Sequence, residues 1–370
     1  MMKKILFLIH DLGQGGAEKV LVNLVNNIDY SKFDVTVMTL FDCGENRSFL
    51  NSQVKYKSWC SKMIPGNSHL MKLLSPEQLH RLIIKDKYDI EVAYLEGPCA
   101  RIISGCKDPD TKLVSWIHIE LHTAQAASLS FRNVDEARKC YKKFNSIVCV
   151  SKTVEDTFEN ALRLNMPYKV LYNTNESSEI QRIGREPVDV QFSDNEIKLV
   201  GVGKLLQSKG FDRILHITKK LTDEHYPVHT YILGEGSERA NLQRYIEENN
   251  LTNHVTLLGY QLNPYKYVSK CDLFVCASHA EGFSTAATEA LIVGTPVCTV
   301  EVSGMKELLG ENNEYGVITS NNEEDLYAGV KKLVMDSDLL RHYKKQAELR
   351  GKDFSTSATV HQTENFLLSL

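Results

Sequence analysis

No apolar run in the 370 residues approaches the ~20 that a membrane-spanning helix needs; runs such as Ile5–Ile9 are far shorter. The start, MMKKILFLIHDLG, has the lysines and apolar stretch of a signal peptide but no small-residue cleavage site, and a glycine turn follows at once. It reads as a first strand. The nine cysteines include no Cys-x-x-Cys pair. An odd number without that spacing argues against both a disulfide framework and a zinc site. Cys149, Cys276 and Cys298 lie inside apolar runs, where a free thiol behaves as a small hydrophobe. A reducing, cytoplasmic compartment is the expectation. No basic run with interleaved aromatics is present, so nucleic acid is a poor partner. A dinucleotide fingerprint is lacking too, because Gly13-Gln14-Gly15-Gly16-Ala17-Glu18 breaks the Gly-x-Gly-x-x-Gly register at Glu18.

What is present is a soluble composition, 42% hydrophobic and 24% charged, in a chain long enough for two α/β domains. The net charge of −4 conceals an asymmetry: residues 1–185 carry 25 Lys/Arg against 21 Asp/Glu, and residues 186–370 carry 18 against 26. The basic first half suits an anionic partner, a phospholipid surface or a lipid-linked diphosphate. Short apolar strands alternate with helical patterns throughout, which predicts parallel sheets covered on both faces. Six strands are expected before Asn173 (Ile5–Ile9, Val35–Leu40, Ile90–Tyr94, Leu113–Ile117, Ile147–Val150, Val170–Tyr172). Six more follow Asn195 (Ile197–Val202, His229–Leu233, Val255–Leu258, Leu273–Ala277, Val297–Val300, Gly316–Ile318). Polar Asn173–Asn195 reads as the linker. The expected domains are 1–185 and 186–354, both Rossmann-like, with a helix over 355–370.

The densest chemistry lies in Ser278–Val297, SHAEGFSTAATEALIVGTPV. Strand Leu273–Ala277 precedes it, Ser284 starts a helix, and Gly294-Thr295-Pro296 ends that helix before the next strand. Glu281 falls in the loop and Glu289 about one and a half turns into the helix. Between them, first-turn N–H groups and the helix dipole favour an anion. A diphosphate flanked by hydroxyl-rich groups suits that arrangement.

This block resembles the Glu-x7-Glu signature of retaining glycosyltransferases with the GT-B fold, family 4, in which Glu-Gly-Phe, Glu-Ala and Gly-Thr-Pro-Val recur. The resemblance covers nearly the whole chain, is strongest from Val200 to Ser320, and points to bacterial enzymes that extend lipid-linked sugars for capsule or other surface polysaccharide. It implies two doubly wound Rossmann-like domains facing across a cleft, the first for the acceptor and the second for the donor, with the terminal helix crossing back to the first. It further implies Glu289 on the ribose, Glu281 on the transferred sugar, and donor contacts from Gly282, Phe283, Ser284 and Thr285.

Other motifs fall into place around it. Gly15 and Gly16 open a helix after the first strand, where the resembling enzymes have Gly-Gly-Ala-Glu near the donor phosphates. His118 ends strand Leu113–Ile117, at the end where such sheets bind ligands; the related enzymes carry a histidine there, near the transferred sugar. Glu120 and His122 beside it stay unranked. After Ile197–Val202, Gly203-Lys204 and then Lys209 place two cations ahead of a helix N-terminus, a site for a doubly charged diphosphate. The family has arginine where Lys204 stands; lysine keeps the charge but not the bidentate fork. Gly234 resembles the glycine loop near the nucleotide, and Gly259-Tyr260 the segment approaching the base. Asp108-Pro109-Asp110 reads as a turn and not as a metal motif.

The resulting expectation is a retaining, metal-independent, cofactor-free transferase. It uses a nucleotide-sugar donor, a UDP-sugar first, and a lipid-linked saccharide acceptor, with His118, Glu281, Lys204 and Lys209 as the catalytic set. Peripheral membrane contact is expected through Trp59–Ile84 or the basic patch Arg138–Lys143. An epimerase or hydrolase on the same fold, or a nucleotide-binding subunit with weak turnover, would share these motifs.

Overall fold

The computed structural model describes residues 2–13, 15–62, 71–193 and 195–370. The chain forms two compact units, Met1–Asn175 with Thr356–Leu370, and Glu176–Ser355. Each is built on one wholly parallel sheet.

In the first unit the strands are β1 (Lys3–Ile9), β2 (Phe33–Phe41), β3 (Lys55–Cys60), β4 (Ile90–Ala93), β5 (Lys112–Ile117), β6 (Ser146–Cys149) and β7 (Tyr168–Val170). Their order is β3-β2-β1-β4-β5-β6-β7. Ile5 lies opposite Val35 on one side and Ile90 on the other. Residues Ile5–Ile9 are buried without a break, as a strand covered on both faces requires. The sheet order reverses between β1 and β4, and such switch points open a crevice at the carboxyl ends of the strands.

Three expectations are corrected in this unit. Strand β3 was not anticipated: KYKSWC alternates lysine with half-buried side chains at the sheet edge. Trp59, read as part of an amphipathic stretch, belongs to that edge strand, and charged edge residues of this kind discourage further strand pairing. Of that same stretch Met71, Ile83 and Ile84 are buried and Leu73 is exposed, while residues 63–70, with Met63 and Leu70, lie outside the described residues. The segment read as a linker contains the helix Ser177–Ile183, whose Ile180 packs with Tyr265 and Ile292. That helix counts with the second unit, so the division falls after Asn175 and not after residue 185.

The helix Thr356–Ser369 belongs to the first unit. Its buried Glu364 accepts from the Asp29 N–H at 2.6 Å and meets Lys32 Nζ at 3.3 Å. Lys3 Nζ donates to the carbonyl of Leu367 at 3.2 Å.

The second unit carries β8 (Ile197–Val202), β9 (Val228–Leu233), β10 (Val255–Gly259), β11 (Leu273–Cys276), β12 (Val297–Val300) and β13 (Val317–Thr319). They are ordered β10-β9-β8-β11-β12-β13. The switch point lies between β8 and β11, where Leu273 pairs with Leu199. One core cluster runs from Leu199 and Ile214 through Val275 to Val330, covering the sheet with helices. No helix of the described residues is long and apolar enough to cross a membrane.

Candidate active site

The loops after β8 and β11 flank the switch point of the second sheet, and their backbones are fitted together closely. Gly210 sits in the left-handed region at φ +64°, and a Cβ there would lie 2.1 Å from the Ala277 carbonyl oxygen. Only glycine lets the β8 loop rest against the end of β11. His279 N–H donates to the Ser208 carbonyl at 2.8 Å across the same seam. This contact brings Lys209 to Glu281.

Lys209 Nζ stands 2.7 Å from Glu281 Oε1, and the Ser278 hydroxyl donates to the same oxygen at 2.8 Å. Ser284 caps the following helix, Thr285–Ile292, its hydroxyl accepting from the Ala287 N–H at 3.3 Å. Glu289, buried on that helix, accepts from the Tyr265 hydroxyl at 3.0 Å. Two carboxylates thus bracket a helix N-terminus with a lysine ammonium on one of them, an arrangement that places positive potential between two hydroxyl-binding groups. Gly282 and Thr285 flank that terminus half-buried. Phe283 is buried, its ring 6.0 Å from that of Phe354, so its side chain anchors the loop.

The other donor-side positions are more varied. Lys204 is exposed and makes no ion pair among the described residues. The structure therefore separates the two lysines: Lys209 meets Glu281, and Lys204 does not join them. Gly203 N–H donates to the Leu233 carbonyl at 3.0 Å, and Gly234 N–H to the Gly259 carbonyl at 2.8 Å, which binds the ends of β8, β9 and β10 into one surface. Tyr260 follows on that surface, 58% exposed.

In the first unit, Gly15 is the N-cap and Gly16 the first residue of the helix Gly16–Asn27. Asp11 supports the loop before it, accepting from the Gly13 N–H at 2.7 Å and pairing with His10 Nδ1 at 2.7 Å. His118 follows β5 and is buried, with its ring 4.8 Å from that of Tyr94. Its backbone N–H donates to Glu96 Oε2 at 3.0 Å, while ring Nε2 has no hydrogen-bond partner among the described residues. Burial pushes His118 down from 6.5 to about 3, a hydrogen bond to the Tyr94 backbone only partly opposing it. The ring is therefore neutral at pH 7, and its free Nε2 suits a hydroxyl group. Glu96 is half-buried, and loss of solvent around it raises its carboxyl. Glu120 pairs with His122 at 2.8 Å. Asp108 accepts from the Asp110 N–H at 3.0 Å and pairs with Lys87, forming a turn.

Four contributors escaped the sequence reading: Ser278, Tyr265, Tyr94 and Glu96. Glu96-Gly97 had a usable signal, an acid followed by glycine just past a buried strand, as at Glu281-Gly282. The others act through contacts with no local signature.

The state of His118 makes stability pH-dependent. The unfolded chain takes up a proton near 6.5 and the folded chain only near 3. The contribution is thus full above pH 6.5 and is lost as pH falls toward 3. Urea unfolding of wild type and His118→Asn at intervals from pH 7 to 4 should show the wild type losing up to about 1.4 kcal/mol more per pH unit. Parallel curves would mean that the imidazole is not held neutral.

Residues 14–174 match the family model Glycosyltransferase Family 4, and residues 184–350 match Glycosyl transferases group 1. The chain belongs to the family 4 type of GT-B glycosyltransferases. The two matches divide the chain much as the two sheets do. Among curated relatives, the N-acetylgalactosamine-N,N'-diacetylbacillosaminyl-diphospho-undecaprenol 4-alpha-N-acetylgalactosaminyltransferase of Campylobacter jejuni is 29% identical, over 99% of this chain and 100% of the relative. Among solved structures, HepE of Anabaena in complex with UDP superposes with a TM-score of 0.77 at 19% identity, covering 99% of this chain and 100% of that one. The lipopolysaccharide outer core galactosyltransferase WaaB, in its apo form, gives a TM-score of 0.75 at 17% identity, with 99% of each chain covered. This glycosyltransferase therefore has the GT-B architecture expected from its sequence.

Proposed function

We propose that this glycosyltransferase moves a hexosyl or N-acetylhexosaminyl group from a UDP-sugar to a hydroxyl of a lipid-linked saccharide, with retention at the anomeric carbon and without a catalytic metal. The observation that carries the reading is the meeting of Lys209 and Glu281 beside the Ser284-capped helix. The donor diphosphate lies over that N-terminus, where backbone N–H groups and the Lys209 ammonium stabilise charge as it develops on the leaving phosphate. Exposed Lys204 adds a second charge. Glu281 holds hydroxyls of the transferred sugar, and Glu289, steadied by Tyr265, holds the ribose. His118 contacts a sugar hydroxyl through its neutral ring.

No side chain is placed as a covalent nucleophile in this scheme. The acceptor oxygen attacks the anomeric carbon on the face that the diphosphate leaves. The bond from that carbon to the phosphate oxygen breaks, and the acceptor proton passes to the departing phosphate. The lipid-linked acceptor and the sugar class are supported by the activity of the Campylobacter relative, and the UDP donor by the UDP in the HepE structure. Peripheral membrane contact is supported by exposed Lys139, Lys142 and Lys143 and by Leu73 and Leu129, each 74% exposed.

The test is a panel of UDP- and GDP-sugars incubated with purified protein and an undecaprenyl-diphosphate saccharide, in EDTA, read by mass spectrometry. One sugar added from a UDP donor is the expected product. Dependence on added manganese or magnesium would overturn metal independence. Hydrolysis or epimerisation without an acceptor would move the protein to another GT-B reaction, and nucleotide binding without turnover on any acceptor would make it a binding subunit.

A further inference from the structure

Glu91 is an unusual residue for its position. It sits second in β4, between β1 and β5 in the middle of the first sheet, and is 2% exposed. A buried carboxylate must be matched by positive charge or strong donors. His80 Nε2, on the helix Pro76–Ile83, lies 2.8 Å from Glu91 Oε2. One imidazole would be enough for an ordinary buried pair. Cys106, however, converges on the same point: its Sγ, a His80 ring nitrogen and a Glu91 carboxylate oxygen all lie within 4.8 Å of one another.

Two kinds of chemistry use these three residue types, and the spacing separates them. In a nucleophile relay the thiol and the carboxylate bond to opposite nitrogens of the imidazole, which sets them roughly 7 Å apart given ordinary hydrogen-bond lengths. Here the two lie within 4.8 Å of each other, too close for that arrangement. Convergence of sulfur, nitrogen and oxygen on one point is the geometry of chelation. Zinc bonds of ~2.3 Å to sulfur and ~2.0–2.2 Å to nitrogen and oxygen put tetrahedral donors roughly 3.3–3.8 Å apart. The His80–Glu91 separation of 2.8 Å has to open by about half an ångström to reach that range, a small side-chain adjustment. A donor set with one thiolate and one imidazole selects a thiophilic cation over magnesium or calcium.

The surroundings hold the three donors in place. The Cys106 segment packs against the start of the His80 helix through Gly105, where a Cβ would lie 2.0 Å from the Pro76 carbonyl oxygen. Lys143 Nζ ties the two together, bonded to the Ser104 carbonyl at 2.9 Å and to Glu77 Oε1 at 3.1 Å. A Ser75–Gln78 capping box fixes the first turn of the helix. His80 and Cys106 are half-buried, leaving an open side from which a cation can enter and a water can fill the fourth position.

We infer that His80, Glu91 and Cys106 bind a single thiophilic divalent cation of the zinc type. The site is structural: Glu91 lies toward the start of β4, whereas Tyr94 and Glu96 follow its carboxyl end. It joins a helix, a strand and a loop from three successive segments of the chain, and it stands against the sequence-based expectation of no zinc site.

The test is a cobalt(II) titration of metal-free full-length protein, followed by absorption. Saturation at one equivalent is expected, with a thiolate-to-cobalt charge-transfer band and the intense visible bands of a tetrahedral site. Cys106→Ser should lose the charge-transfer band, whereas Cys43→Ser and Cys60→Ser, the other half-buried thiols, should keep it. No band in the wild type, or a band surviving Cys106→Ser, overturns the inference. Should Cys106→Ser fail to fold, alkylation of the wild type decides. Zinc is expected to slow labelling of Cys106 by at least about tenfold without slowing Cys43 or Cys60; equal labelling with and without zinc overturns it.

Discussion

Replacing Glu281 by alanine is expected to lower kcat/KM for sugar transfer by about three orders of magnitude, the scale on which loss of one well-placed polar group acts in the transition state. The carboxylate has two fixed partners, Lys209 at 2.7 Å and the Ser278 hydroxyl at 2.8 Å, and its side chain is only 12% exposed. It is therefore held in one orientation before any donor arrives. In the proposed scheme, removing it takes away the sugar contact and also frees Lys209 to leave its place beside the diphosphate. The fold should survive, because the lysine side chain is 31% exposed and a partly solvated pair of this kind contributes at most about 1 kcal/mol. The Ser284 cap and the core beneath it do not depend on the pair. Glu281→Gln separates the two roles: it keeps a group able to accept from Ser278 but not the charge that holds Lys209. It should rank between alanine and wild type. Transfer rates together with urea midpoints check the prediction, and near wild-type turnover by the alanine variant would remove Glu281 from the mechanism.

How much of this was legible in the sequence depends on how local each signal is. All six strands of the second sheet could be read because runs such as Leu273–Cys276 are buried on both faces and stay apolar at every position. Edge strand β3 could not, since KYKSWC presents lysines to solvent and has no continuous apolar run. The helix Ser177–Ile183 was hidden for a related reason. Its sequence is polar, and Ile180 is its one buried apolar side chain, so helical periodicity hardly shows.

The candidate site divides along the same line. Glu281, Ser284 and Glu289 lie within nine consecutive residues, so a strand–loop–helix reading places them together. That Lys209 and not Lys204 reaches Glu281 is a matter of how the β8 loop folds onto β11, through Gly210 and the Ser208–His279 backbone bond. Sequence spacing carries nothing of that choice. Tyr265 reaches Glu289 from 24 residues away, and the three donors around Cys106 come from a helix, a strand and a loop. Rules for cysteine spacing detect metal sites assembled within one turn and are blind to a mixed set assembled by the fold.

Gly234→Ala is expected to destabilise the second unit by about 2–5 kcal/mol, adding the strain of a positive φ to overpacking. Gly234 has φ +141°, a conformation that L side chains rarely adopt, and its added Cβ would lie 1.8 Å from the Gly203 carbonyl oxygen. Rotation of a side chain cannot relieve that contact, because both sides of it are backbone. Gly203 is tied by its N–H to the Leu233 carbonyl, and Gly234 by its own to the Gly259 carbonyl, so relief at one loop disturbs the ends of β8, β9 and β10 together. Lys204 follows Gly203 directly and moves with it, so donor affinity should fall along with stability. Gly203→Ala is the informative comparison. Its Cβ would find the Phe211 ring at 3.6 Å, ordinary contact distance, so it carries backbone strain with little overpacking. The two substitutions add the same methyl to adjoining loops, one against backbone and the other at ordinary distance from an aromatic ring, and Gly234→Ala should cost distinctly more in urea unfolding. Equal costs would place the penalty in backbone conformation alone and remove close packing of the two loops as the reason for glycine at 234.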